Sequence, residues 1–124
     1  MWIRCNPNPL GKNVGDCVIR ALAVATDQSW RDTYRDLCRT GEILADLPNS
    51  NAVWGTYLRR RGAEQFLLPE NCPECITVRA FCERYPAGVY VIGTGDHAIA
   101  VIDGNWYDSF DSGNETPTYF WRVK

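Results

Sequence analysis

Histidine is all but missing from this sequence: His97 is the single one. Acid–base chemistry through an imidazole therefore has one address. No stretch approaches the roughly 18 consecutive apolar residues of a membrane-crossing helix, which excludes a span of that kind. The opening Met1-Trp2-Ile3-Arg4-Cys5-Asn6-Pro7 has no cationic lead running into an apolar segment, so a cytoplasmic location is expected rather than export. Neither sign of charge prevails, with 13 basic and 15 acidic residues and a net charge of −2. The one basic run, Arg59-Arg60-Arg61, suits a helix C-terminus, and without a basic excess or stripe a nucleic-acid partner is not expected. Internal repeats and low-complexity segments are absent as well.

What is present is ordinary globular composition, 45% hydrophobic and 23% charged over 124 residues, which fits one domain spanning 1–124. Six cysteines stand at positions 5, 17, 38, 72, 75 and 82. With no export signal and enough apolar residues for a core, they are expected as reduced thiols.

The segment Gly15-Asp16-Cys17-Val18-Ile19-Arg20-Ala21-Leu22-Ala23-Val24-Ala25 predicts a helix starting at Cys17, with Asp16 as its N-cap. After Arg20 nothing strongly polar follows until Thr26, so the helix should run through the interior. A thiol in its first turn meets the positive end of the helix dipole, which favours the nucleophilic thiolate. A cysteine in a helix is ordinarily a small core hydrophobe, so a nucleophile needs a base nearby.

A second helix opens at Ser29 with Trp30, Tyr34, Leu37 and Cys38 on its apolar stripe and Gly41 just past its end. A third covers Ala52–Leu58 and stops at Gly62, and a short one runs from Thr77 to Tyr85 ahead of Pro86. Phe66-Leu67-Leu68 is a brief strand, whereas residues 1–15 read as an irregular lead-in. From residue 88 onward four strands follow, 88–93, 97–102, 105–111 and 118–123, with Asp103-Gly104 as a hairpin turn. Helices first and an antiparallel sheet second give an α+β fold, the cysteine helix packed on the sheet.

His97 opens the second of these strands. If Asp103-Gly104 are the two turn residues, Ile102 faces Asn105, Ile99 faces Asp108 and His97 faces Phe110. Asp108 then lies one diagonal step from His97, within reach of its ring. A three-residue loop would reverse the parity and favour Asp111 instead. Cys17, His97 and Asp108 are the residue types that acyl transfer needs: a thiolate to attack, an imidazole to take and return the proton, and a carboxylate to orient the imidazole. The Cys17 backbone N–H would meet the oxyanion together with a second donor.

The segment Gly15–Ala23 resembles the nucleophile signature of ovarian-tumour-type deubiquitinases, although here the aspartate directly precedes the cysteine. The stretch His97-Ala98-Ile99-Ala100-Val101-Ile102-Asp103-Gly104 through Asp108 resembles the histidine hairpin of bacteriocin-leader peptidases and transglutaminase-like proteins. Both are papain-like cysteine peptidases in the broad sense. The resemblance implies a papain-like fold and a thiol protease that cleaves peptide or isopeptide bonds through a Cys17–His97–Asp108 catalytic triad, with a peptide or protein substrate and no cofactor. It also implies a bacterial or phage origin. Such enzymes place a glutamine six residues before the cysteine as second oxyanion donor. Gly11 stands there, so Asn13 is the nearest amide, with Asn6 and Asn8 as looser candidates.

Two other readings compete. The same fold could serve as a binding module without turnover. Alternatively, Cys72-Pro73-Glu74-Cys75, with Cys82 downstream, could serve metal or redox chemistry, although a structural zinc would need a fourth ligand from Cys5 or Cys38.

Overall fold

A computed structural model describes residues 1–124 and has an α+β fold of four helices and one six-stranded mixed sheet. In chain order the elements are β1 Trp2–Arg4, α1 Cys17–Thr26, α2 Trp30–Leu44, α3 Asn51–Arg60, β2 Glu64–Leu67, α4 Val78–Arg84, β3 Val89–Gly93, β4 Ala98–Ile102, β5 Asn105–Asp108 and β6 Tyr119–Arg122. The sheet order is β1-β5-β4-β3-β6-β2.

The two-residue hairpin sets the register of the sheet's centre. Asp103 and Gly104 both take positive φ, 48° and 78°, as a tight turn matched to strand twist requires. Ile102 accordingly pairs with Asn105, Val101 with Trp106 and Ala100 with Tyr107. Period-two alternation then divides β4 between two cores. Ala98 and Ala100 face α1, α2 and α3, together with Val91 and Trp121, whereas Ile99 and Val101 join α4 residues Val78, Phe81 and Cys82 on the opposite face. Small residues on both sides of the first interface, Ala21 and Ala25 of α1 against Ala98 and Ala100, let the helix lie close on the sheet. Seven of the ten α1 residues are buried, as expected for a helix with so little polar surface.

Several expectations need correction. The sheet is not purely antiparallel and not purely C-terminal, because Trp2–Arg4 of the lead-in pairs in parallel with Trp106–Asp108. β5 ends at Asp108 instead of running to Asp111, since the Asp108 carboxylate accepts from the Ser109 amide at 2.8 Å and turns the chain out of the ladder. Gly41 lies inside α2 rather than past its end. A Cβ there would sit 2.6 Å from the Asp46 carbonyl oxygen, so glycine serves the fold-back of the following loop, and Ala45 closes the helix in the left-handed conformation. Ser29, Ser50 and Thr77 do cap their helices by accepting the Asp32, Val53 and Ala80 amides.

Cys72 and Cys75 form a disulfide and are not reduced thiols. The turn that bonds the Cys75 amide to the Asn71 carbonyl brings their Cα atoms to 4.6 Å, within disulfide range. Cys5, Cys17, Cys38 and Cys82 are free, and no group of three or more His, Cys, Asp or Glu side chains is placed to hold a metal ion. No helix is long and apolar enough to cross a membrane.

Candidate active site

Cys17 is the first residue of α1, half-buried where the lead-in loop meets the sheet. The expected cap behaves differently from a cap. The Asp16 side chain takes none of the first-turn amides of α1; its carboxylate instead accepts from the Arg20 guanidinium, from Trp30 Nε1 at 2.9 Å and from Asn8 Nδ2 at 3.5 Å. Arg20, one turn into the helix and itself buried, outcompetes the amides because a charge-assisted pair is the stronger bond. The N-terminus of α1 therefore stays open beside the thiol.

His97 lies just before β4, its backbone carbonyl bonded to the Thr94 amide at 2.9 Å. Its Nε2 is 2.6 Å from Asp108 Oδ2, and the side chains of both are largely buried. The ring also packs on Phe110, with centroids 5.1 Å apart, although the β4–β5 ladder itself ends at Ala100 and Tyr107. Asp108 is bound from three further sides. Ser112 Oγ donates to Oδ2 at 2.8 Å, the Ser109 amide donates to Oδ1, and Arg20 Nη2 lies 3.8 Å from Oδ1.

The electrostatics follow from this arrangement. Burial alone would push the Cys17 thiol up, but hydrogen bonding to His97, a backbone bond at Ala98 and the charges of His97 and Arg20 outweigh it. The thiol is held below its ordinary value. Burial would lower His97, yet its hydrogen bonds to Asp108 and to Cys17, with their charges, raise it to about 10. Cys5 and Cys82 go the other way, raised by burial, Cys82 to about 11. Among these thiols only Cys17 is pushed toward thiolate, and its partner is pushed toward imidazolium.

Asp111, the alternative third member, does not meet His97. Its exposed carboxylate accepts from the Gly113 amide and from Trp106 Nε1, both at 3.0 Å, and these bonds hold it below the usual carboxylate range. The two-residue turn removes the parity change that would have brought it to the ring. Asn13 and Asn6 line the cavity of about 520 Å³ into which Cys17 and His97 open. Asn8 does not serve there: its Oδ1 accepts the Leu10 and Lys12 amides and shapes the loop. A second cavity of about 300 Å³ reaches Cys17 and His97 from the α3 side, between Asn51, Trp54 and Tyr119. The two cavities flank the same thiol.

Sequence reasoning missed Arg20 as the link between Asp16 and Asp108, and Ser112 as the hydroxyl under Asp108. The only available signal for Arg20 was a single charge inside an otherwise apolar helix; a buried arginine needs carboxylates around it. Nothing in the sequence distinguishes Ser112 from a loop serine. Compared with known proteins, the chain matches no family model, no curated protein and no solved structure.

Proposed function

We propose that this chain is a cysteine hydrolase of papain-like type, a peptidase or isopeptidase acting through Cys17, His97 and Asp108. The observation that carries the reading is the 2.6 Å bond between His97 Nε2 and Asp108 Oδ2, on a ring that lines the same cavity as the Cys17 thiol. With Nε2 committed to the carboxylate, Nδ1 is the nitrogen left for the proton of the nucleophile.

The thiolate attacks the substrate acyl carbon, and the carbonyl electrons move onto oxygen. That oxyanion meets the open first turn of α1, with the Cys17 N–H as donor and Asn13 as second donor. Collapse breaks the bond to the leaving group, which takes the proton from His97 and departs as the amine, leaving a thioester on Cys17. Water then attacks the thioester while His97 accepts its proton, and collapse breaks the C–S bond, releasing the acid and restoring the thiolate beside the protonated imidazole. Asp108 keeps the ring oriented and compensates its charge throughout.

The test is alkylation by iodoacetamide near neutral pH with mass-spectrometric mapping of each cysteine. Cys17 labels at least about tenfold faster than Cys5, Cys38 and Cys82, and His97→Ala removes the advantage. Equal labelling of the accessible thiols, with no effect of His97→Ala, overturns the reading in favour of a non-catalytic binding module.

A further inference from the structure

A groove of about 540 Å³ runs along the first turns of α2 beside the lead-in loop. Its floor is Trp30 stacked on Tyr34, with ring centroids 5.1 Å apart and planes within 11°. Leu10 and Val14, 69% and 49% exposed, form its apolar side. Lone exposed apolar side chains mean little, but three of them, Leu10, Val14 and Tyr34, converging with the half-buried Trp30 on one concave surface mark a place where something docks. The charged residues that line the groove are Lys12, Arg31 and Arg35, with no carboxylate among them, in a chain of net charge −2. Arg35 is drawn to Asp32 at 3.2 Å, whereas Lys12 and Arg31 take part in no ion pair.

The groove adjoins the cleft. Val14 lines both it and the cavity that holds Cys17 and His97. Trp30 is fixed from below by its indole N–H on Asp16, the residue before the nucleophile. A chain seated across the thiol thus has a preorganised aromatic shelf and a cationic rim further along its path.

Building on the proposed hydrolase activity, we propose that this groove binds the substrate polypeptide away from its scissile bond and selects for an acidic segment. One aromatic or aliphatic residue of that segment rests on Trp30 and Tyr34, and a neighbouring Asp or Glu meets Lys12 and Arg31. Apolar contact on a rigid aromatic floor supplies affinity, and the cationic rim supplies discrimination.

The test uses two series of six-residue peptides. One carries an N-terminal chloroacetyl group and the other a C-terminal vinyl methyl ester, a Michael acceptor that adds the thiolate at its β-carbon, so that the peptide extends to either side of Cys17. In each series a Leu is followed by Glu-Glu, Gln-Gln or Lys-Lys, and the second-order rate of Cys17 labelling is measured. In at least one series the acidic peptide labels about tenfold faster than the basic one. This preference shrinks at 0.5 M salt and reverses in a Lys12→Glu/Arg31→Glu variant, while Tyr34→Ala weakens all peptides of that series. Equal labelling by acidic, neutral and basic peptides in both series overturns the proposal. So does the same equality accompanied by binding of a single-stranded oligonucleotide with quenching of Trp30, which would assign the shelf to base stacking. Iodoacetamide on the same protein separates the two failures: selective labelling of Cys17 by that small reagent keeps the hydrolase reading when the peptides do not discriminate, and its loss removes both.

Discussion

Arg20 stands between two aspartates that belong to different parts of the chain. It is bonded to Asp16 at the mouth of α1 and lies 3.8 Å from Asp108 at the end of β5. Its guanidinium also donates to the Val14 carbonyl at 3.4 Å, so one side chain ties together the lead-in loop, the Cys17 helix and the carboxylate behind His97. All three charged groups are buried. Replacing Arg20 by Met leaves two buried carboxylates short of their cation, which costs about 3–5 kcal/mol in urea unfolding. Arg20→Lys keeps the charge but loses the fork and recovers only part of this. Because the Arg20 charge also helps lower the Cys17 thiol, the alkylation rate of a folded Arg20→Met protein rises at a higher pH than in the parent, whereas Arg20→Lys, which keeps the charge, stays nearer the parent.

Asp108 and Asp111 make a paired test of how the imidazole is oriented. Asp108→Asn removes the charge from the 2.6 Å contact with His97 and lowers alkylation of Cys17 at pH 7 by about 10- to 100-fold, with the pH–rate curve displaced upward. Asp111→Asn, which touches Trp106 and Gly113 and not the ring, leaves that rate within about twofold. Comparable losses in both variants would mean that the hairpin register does not decide the third member.

The parts readable in advance were those governed by local periodicity. Asp103-Gly104 fixes a two-residue turn, and from that turn follows the register of β4 on β5, Ile102 against Asn105 through Ala100 against Tyr107; the approach of Phe110 and Asp108 to His97 lies beyond the end of that ladder. The apolar run after Arg20 likewise dictates a buried helix with Cys17 at its start. What escaped was set by distant contact. Trp2–Arg4 is a three-residue strand, too short for alternation to register, and its partner lies a hundred residues away. Gly41 looks like a helix stop, but only the approach of the Asp46 carbonyl shows that the helix passes through it. Asp16 has the composition and position of a cap, yet a guanidinium one turn along and an indole from α2 claim its oxygens.

The contribution of His97 to stability has a defined pH window. Its value in the folded chain, about 10, lies above the roughly 6.5 of an unfolded imidazole, so folding binds the proton more tightly. That contribution is complete below about pH 6.5 and disappears as pH climbs through about 10. The difference in melting temperature between the parent and His97→Gln is therefore largest near pH 6 and narrows steadily toward pH 10. A constant difference across that range would mean that the imidazolium is not held by Asp108 and Cys17.

Gly93 tests whether the α3-side cavity depends on the ring of Tyr119. A Cβ at Gly93 would fall 2.2 Å from Tyr119 Cζ and 2.5 Å from its hydroxyl, distances no side chain tolerates. Both residues pair in the β3–β6 ladder, so neither backbone can withdraw, and the Tyr119 ring must swing out of its place. That ring lines the cavity with Cys17 and His97, close enough for the thiolate to raise the tyrosine hydroxyl after burial has done so first. Gly93→Ala is expected to lower stability by about 1–3 kcal/mol in urea unfolding, the usual cost of overpacking. It also changes how Cys17 meets bulky reagents relative to iodoacetamide, because the displaced ring reshapes one wall of the cleft while leaving His97 and Asp108 in position. An unchanged ratio of bulky to small alkylation rates in a destabilised Gly93→Ala protein would show that the Tyr119 side of the cleft plays no part in admitting substrate.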